Sequence, residues 1–384
     1  MSRLLLFTGL SATALSLLGS AYYVIKLKSH KDKKRLRAKL PDGIFAWRRP
    51  TVLPTPLGEE EIWQGLEDLF RAVDLVPWIS RYISETTSPN KVVSANGFSY
   101  ITPIRGSKDI GPGAAVWLAF FNYMNPLTRA AETKNGQPVM VRMMAIRDQG
   151  HECVSILRKI ATGPLALLSN NHCLPLFREF TFEDIVFGIF PRAGGCFEEA
   201  WGYWAKNSVG DILDMILQIL EGVVFLHDHN IAHRDLFNAN FLVDWHPESM
   251  LSNETAVSKP RVYIIDFEFA VEFPADCPSE ERLCVGLPCT KWYADDYTRP
   301  YPPEINESIP WCPFKLDIWQ LGYSFTFEGI RTSIKEIDEL FSTMISDQPA
   351  ERPTAKEAFT KLRQIVNCIP PKDLLVEPSF VEFE

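Results

Sequence analysis

Apolar positions along the chain fall into three kinds of run. Residues 4–25 carry no charged side chain over a length sufficient for a helix to cross a bilayer, so this run predicts a membrane-spanning helix. Further on, apolar residues recur at helical spacing in two places, at Ile62, Leu66, Leu69 and Val73, and at Ile212, Ile216, Ile219 and Val223. Short continuous runs, PVMVRM from Pro138, FLV from Phe241 and VYII from Val262, have the length and branching of strands.

The flanks refine each element. The basic stretch KLKSHKDKKRLRAK follows the first run, against a single Arg3 before it, which orients the expected anchor with the bulk of the chain on the cytoplasmic side of an unidentified membrane. The alternatives are a helix packed on a core and a cleaved leader, the latter disfavoured because the basic cluster lies on the wrong side of the apolar run. Glu59 to Glu61 mark the start of the helix that carries Ile62. That helix reads either as a regulatory or membrane-surface element or, preferably, as one packed on the main domain.

Composition changes the picture little. A hydrophobic content of 46% supports a large core, and the 48 acidic against 39 basic residues, a formal charge of −9, argue against nucleic acid as a partner. The 8 cysteines include no C-x-x-C pair, so neither zinc nor a disulfide framework is indicated, and a reducing compartment is preferred.

The chemistry concentrates in IAHRDLFNANFLVDWH, where Asp235 follows His233 and Arg234, and Asn240 precedes a strand. A second acid, Asp266, ends the next apolar strand and is followed by Phe267. Downstream come Pro303-Glu304, Asp317-Ile318-Trp319 with Gly322, and Arg352-Pro353-Thr354. Order and spacing of these motifs resemble the eukaryotic protein kinases. ATGPLALLSNNHCLPL, WAKNSVGDI, FLVDWHPESM and IIDFEFAV more narrowly resemble the divergent kinase-like proteins of mushroom-forming fungi.

The resemblance implies an α+β, bilobal protein-kinase-like fold, with a small β-rich N-lobe, a larger helical C-lobe and a nucleotide cleft between them, behind the N-terminal transmembrane helix. It divides the chain into an anchor (1–27), a basic juxtamembrane stretch with an amphipathic helix (28–96), a kinase-like domain (97–368) and a tail (369–384). It further implies ATP and Mg2+ as cofactors and a protein substrate. Asp235, flanked by His233 and Arg234, would accept the hydroxyl proton, and Asn240 and Asp266 would hold the metal. Glu304 and Arg352 would form a buried ion pair.

Several positions depart from the family pattern. Arg142 stands where the phosphate-binding lysine belongs. Its helix partner would be Glu152, with Cys153 fitting the register about as well; a reshaped cleft could instead pair the guanidinium with Glu152 or Glu268. Gly106, Gly111 and Gly113 lack the spacing of a phosphate-covering loop. Phe237 replaces a phosphate-contacting lysine, Glu268 replaces the glycine after Asp266-Phe267, and an inserted loop separates Asn240 from Asp266. Thr290, Tyr297 and Thr298 lie in the expected activation segment, where they read either as phosphosites or as ordinary loop hydroxyls.

With the acids and the amide retained and the phosphate-positioning groups substituted, the preferred expectation is a membrane-anchored serine/threonine kinase. The alternative is a pseudokinase acting as a nucleotide-binding or scaffolding module. A small-molecule phosphotransferase is disfavoured by Glu304, Asp317 and Arg352.

Overall fold

The computed structural model describes residues 31–48, 58–82, 85–87, 120–122, 125–193, 195–197, 208–244, 260–290, 297–305, 308–327 and 329–380. No helix among these is long and apolar enough to cross a membrane. The transmembrane helix, the single-pass localisation and the membrane contact drawn from it are therefore corrected. The apolar run at 4–25 that prompted them lies outside the described residues.

The N-terminal part is built on an antiparallel five-stranded sheet in the order β1-β5-β6-β8-β7. These strands are β1 (Leu75–Pro77), β5 (Thr128–Thr133), β6 (Pro138–Ile146), β7 (Arg178–Phe182) and β8 (Ile185–Pro191). β6 is central and, Arg142 apart, apolar on both faces, as befits a strand covered on two sides. Val139, Val141 and Met143 face one cluster, while Met144 joins another, larger cluster that continues into the C-lobe. Arg142, in register with Gly188 of β8, falls on the second face by the two-residue alternation.

The first face is covered by three short helices, α1 (Ile44–Arg48), α2 (Glu59–Gly65) and α3 (Glu67–Ala72). Trp47, Ile62, Trp63, Leu66 and Phe70 are buried against the sheet. Trp47 meets Trp63 and Phe187 edge-on at 5.9 and 6.2 Å, arrangements that contribute about 0.5–1.5 kcal/mol each beyond the area they bury. The helix around Ile62 is thus a packed element, not a free surface. Even the end of the basic run is tied down, since Arg37 Nη2 donates to Asp184 at 2.9 Å in the β7–β8 turn. The N-terminal sheet and its cover accordingly reach well upstream of residue 97.

Where β1 and β5 pair as neighbours, a tight turn would be expected between them; instead the chain runs from 78 to 127. This insertion contains its own antiparallel sheet of β2 (Ile79–Tyr82), β3 (Glu85–Thr87) and β4 (Phe120–Asn122). Gly106, Gly111 and Gly113 lie outside the described residues.

The C-terminal part is mainly helical: α5 (Val209–Asp228), α6 (Pro313–Phe327), α7 (Lys335–Met344) and α8 (Ala355–Cys368). α5 starts with a capping box in which Ser208 and Asp211 satisfy each other's backbone N–H groups. Its Ile212, Ile216, Ile219 and Val223 stripe is buried throughout. Gly322 has a packing reason: a Cβ there would lie 2.6 Å from Met344 Cβ, so only glycine lets α6 and α7 approach this closely. Arg352, 1% exposed, grips Glu304 with both terminal nitrogens, one at 2.9 Å, which realises the expected ion pair.

Candidate active site

Two ladders bring distant parts of the chain together. β11 (Phe241–Asp244), edged by the short β9 (Gly195–Cys196), forms an antiparallel hairpin with β12 (Arg261–Ile264). The pairing of Phe241 with Ile264 sets Asn240 beside Ile265, and Ile265 N donates to Asn240 O at 3.0 Å. β10 (Ile231–Ala232) pairs with β13 (Val271–Glu272) at the other end. The loop carrying His233, Arg234, Asp235 and Asn240 and the loop carrying Asp266 and Glu268 are therefore closed at both ends against one another. The residues between 245 and 259, where the inserted loop was expected, lie outside the described residues.

The start of α6 fixes the first loop. Asp317, wholly buried, accepts from the backbone N–H of His233 at 2.9 Å and of Arg234 at 2.7 Å. Gln320 accepts from Leu236 N at 3.0 Å and donates to Arg234 O at 2.9 Å. Arg234 adopts a left-handed backbone, φ 66°, and its Nε donates to Phe269 O, so its side chain ties the two loops. His233 does the same from inside: its ring lies 4.8 Å from that of Phe267, and Nε2 meets Ile265 O at 2.9 Å. Because Nδ1 accepts from Asp235 N at 3.3 Å, the ring is a neutral tautomer that donates through Nε2. Burial accordingly lowers its pKa. His233 and Arg234 position the loops.

Asp235 is the acid they present. Its Oδ2 accepts from Asn240 Nδ2 at 2.7 Å, and the same amide nitrogen donates to Asp235 O at 2.8 Å. Oδ1 is buried with no hydrogen-bond partner among the described residues; Arg299 Nε stands 3.5 Å away, at ion-pair distance. Burial pushes the carboxyl up to about 6, against the pull of Arg299 and with help from the charges of Asp266 and Glu268. It remains ionised at neutral pH yet is a better proton acceptor than an exposed aspartate.

Arg142 meets Asp266 Oδ1 through Nη2 at 2.6 Å, and the same nitrogen donates to Glu268 Oε1. Glu268 Oε2 in turn accepts from Arg48 of α1. Glu268 thus bridges two guanidiniums. Burial raises the Asp266 pKa, but Arg142 and Arg48 outweigh it and hold the carboxyl below its usual range. Glu152 is exposed in the first turn of α4 (His151–Ile160), and the structure does not bring it to Arg142. Cys153 turns inward beside the guanidinium, where burial pushes its thiol up to about 12 and keeps it neutral. The carboxylate partner of Arg142 comes from the loop after β12 in place of the helix.

Asp266, not residue 268, takes the left-handed conformation, φ 65° and ψ 61°. Asp tolerates this region better than most residues, and Glu268 sits inside a 3-10 turn that has no need of glycine. Of the activation-segment hydroxyls, those of Thr290 and Tyr297 are enclosed with no hydrogen-bond partner among the described residues, and Thr298 is exposed.

The donor set would suit a hard divalent cation. Asp266 would offer a carboxylate whose Oδ1 already meets Arg142, Asn240 turns its amide nitrogen to Asp235 and so leaves its oxygen for a metal, and Asp235 Oδ1 meets Arg299 at ion-pair distance without a hydrogen bond among the described residues. The extra charge of Glu268 is balanced by Arg48 and Arg142. Sequence reasoning named Glu268 as a possible partner for Arg142 but missed Arg48. The one signal was the extra acid itself, which in a partly buried cleft demands a second cation.

Two lobes, a doubly closed loop pair and an acid held by an amide make up the candidate site. Residues 204–326 match the protein kinase domain family. Similar proteins include the serine/threonine-protein kinase CAK1 of Saccharomyces cerevisiae, 28% identical over 28% of this chain and 26% of that protein. The human serine/threonine-protein kinase PINK1, mitochondrial, is 27% identical over 43% of this chain and 27% of its own length. The rice cyclin-dependent kinase F-3 is 27% identical over 56% and 44%. The chain spans less than half the length of each of these relatives. The matched stretch is thus similar to serine/threonine-protein kinases, a family that in general uses ATP and a divalent metal.

Proposed function

We propose that this protein transfers the γ-phosphoryl group of ATP to a serine or threonine hydroxyl of a protein substrate, with Asp235 orienting the hydroxyl and taking its proton. The observation that carries this reading is Asp235 itself. It is a buried acid with one oxygen anchored by Asn240 and the other unsatisfied, its pKa shifted toward the working range of a general base. In this reading Asn240 and Asp266 hold the magnesium ion, which when bound neutralises phosphate charge. Arg142, steadied by Glu268, would keep Asp266 in place. Glu152 is left without a part in the cleft. The catalytic unit of this reading comprises 97–368 together with the packed helices α1 to α3 and β1.

A second reading, a nucleotide-binding or scaffolding module with little or no catalysis, draws on a specific observation. Asp266 Oδ1 is already occupied by Arg142, and the β1–β5 connection is a long insertion instead of a tight phosphate-covering turn. The two readings separate in one experiment on the full chain. Unfolding is followed with and without Mg-ATP, and transfer of labelled γ-phosphate to a mixed protein acceptor is followed in parallel. Saturation at about 100 times Kd adds roughly 2.7 kcal/mol of stability. The kinase reading expects both the shift and the transfer, with Asp235→Asn losing transfer and keeping the shift. A shift without transfer selects the nucleotide-binding module, and the absence of any shift at millimolar nucleotide rejects the kinase and leaves the scaffold.

A further inference from the structure

Position 237 lies two residues after Asp235, where the family resemblance calls for a lysine that contacts the phosphate. Phe237 offers no charge, and its ring is fully buried. A cation nevertheless stands there. Arg299, from the segment between Asp266 and Glu304, lays its guanidinium over the Phe237 ring with Cζ 5.0 Å from the centroid. Its Nε faces Asp235 Oδ1 at 3.5 Å. The Arg299 side chain is 38% exposed and that of Asp235 10%, so the guanidinium reaches from the buried acid toward solvent. The two contacts are chemically independent, one to the π face of a ring and one to a carboxylate, and both hold the cation beside the acid.

We infer that Arg299 replaces the missing lysine and is the cation that meets the transferred phosphoryl group beside Asp235. This rests on the phosphotransferase reading above. A guanidinium carries five N–H donors, and with the Nε edge turned to Asp235 the remaining nitrogens can fork onto phosphoryl oxygens, a geometry an ammonium cannot match. Phe237 is then the platform on which the replacement cation rests. The substitution at 237 and the arginine at 299 form one compensated pair.

The test compares Mg-ATP with Mg-ADP, since only the former carries the group Arg299 is inferred to touch. Dissociation constants for both are measured calorimetrically on the full chain for wild type, Arg299→Ala and Arg299→Lys. Arg299→Ala should weaken Mg-ATP by roughly tenfold or more, the scale of a charge-assisted hydrogen bond, while leaving Mg-ADP within about twofold. Arg299→Lys, which keeps the charge, should retain most of the preference for ATP. Arg299→Gln gives the same comparison should the alanine variant unfold. A parallel loss for both nucleotides, or an unchanged ATP-to-ADP ratio, overturns the assignment of Arg299 and leaves the phosphotransferase reading standing. Wild type that binds neither nucleotide overturns both.

Discussion

Glu268→Gln removes one negative charge from a network in which each oxygen of that carboxylate meets a different guanidinium, Oε1 with Arg142 and Oε2 with Arg48. The side chains are mostly withdrawn from water: Glu268 is 12% exposed, Arg142 15% and Arg48 20%. After the substitution two cations face a single acid, Asp266. Breaking a buried pair by removing one partner costs about 3–5 kcal/mol, because the other charge stays buried. Residual solvent access at Arg48 places this site nearer the low end, at about 2–3 kcal/mol. For a chain of this size that corresponds to a fall in Tm of roughly 2–4 °C. The decisive assay is a double-mutant cycle by urea unfolding with Arg48→Met, which keeps the aliphatic stem and drops the charge. The Arg48–Glu268 contact should appear as a coupling of about 1–3 kcal/mol. Additivity of the two substitutions within about 0.5 kcal/mol would refute the claim that α1 is fastened to the cleft through Glu268.

Two further outcomes follow from the same cleft. Lysine at 142 carries a compact ammonium on a differently shaped stem, whereas Arg142 Nη2 serves Asp266 and Glu268 together. Arg142→Lys should therefore bind Mg-ATP no more tightly than wild type and unfold more easily; a tenfold gain in affinity, about 1.4 kcal/mol, would instead mark the arginine as damage. Asp235 is displaced from 3.8 to about 6, first by burial, so the folded state holds its proton more tightly than the unfolded chain does. Its favourable contribution is present below the unfolded pKa and is lost as pH rises through about 6. Transfer has the opposite sign, since it needs the ionised form, and should fall as pH drops below about 6. Asp235→Asn should accordingly be the more stable protein at pH 7, by up to about 3 kcal/mol, with the advantage shrinking toward pH 4 in urea titrations. A difference independent of pH would refute the buried-acid assignment.

The sequence by itself determined the motifs whose meaning is local. Asp235 and Asn240 are five residues apart on one loop, and their hydrogen bond needs only that loop's turn. The stripe from Ile212 to Val223 specifies a buried helix wherever it is placed. Gly322 was legible as a motif residue, although its reason, the clearance between α6 and Met344, exists only once two helices pack. Other readings needed the tertiary structure. Whether the helix around Ile62 lies on a membrane or on the domain depends on what its apolar face meets, and an amphipathic pattern is the same in both cases. A charge pair has no fixed separation in sequence. Arg142 is 126 residues from Glu268, Arg48 is 220 residues from it, and Arg299 reaches Asp235 across the segment that follows β13. Each of those contacts is set by how sheets and loops close in space. The helix position at 152 pointed outward because its neighbour Cys153 took the inward register, a choice of about 100° of helix rotation that only packing could make.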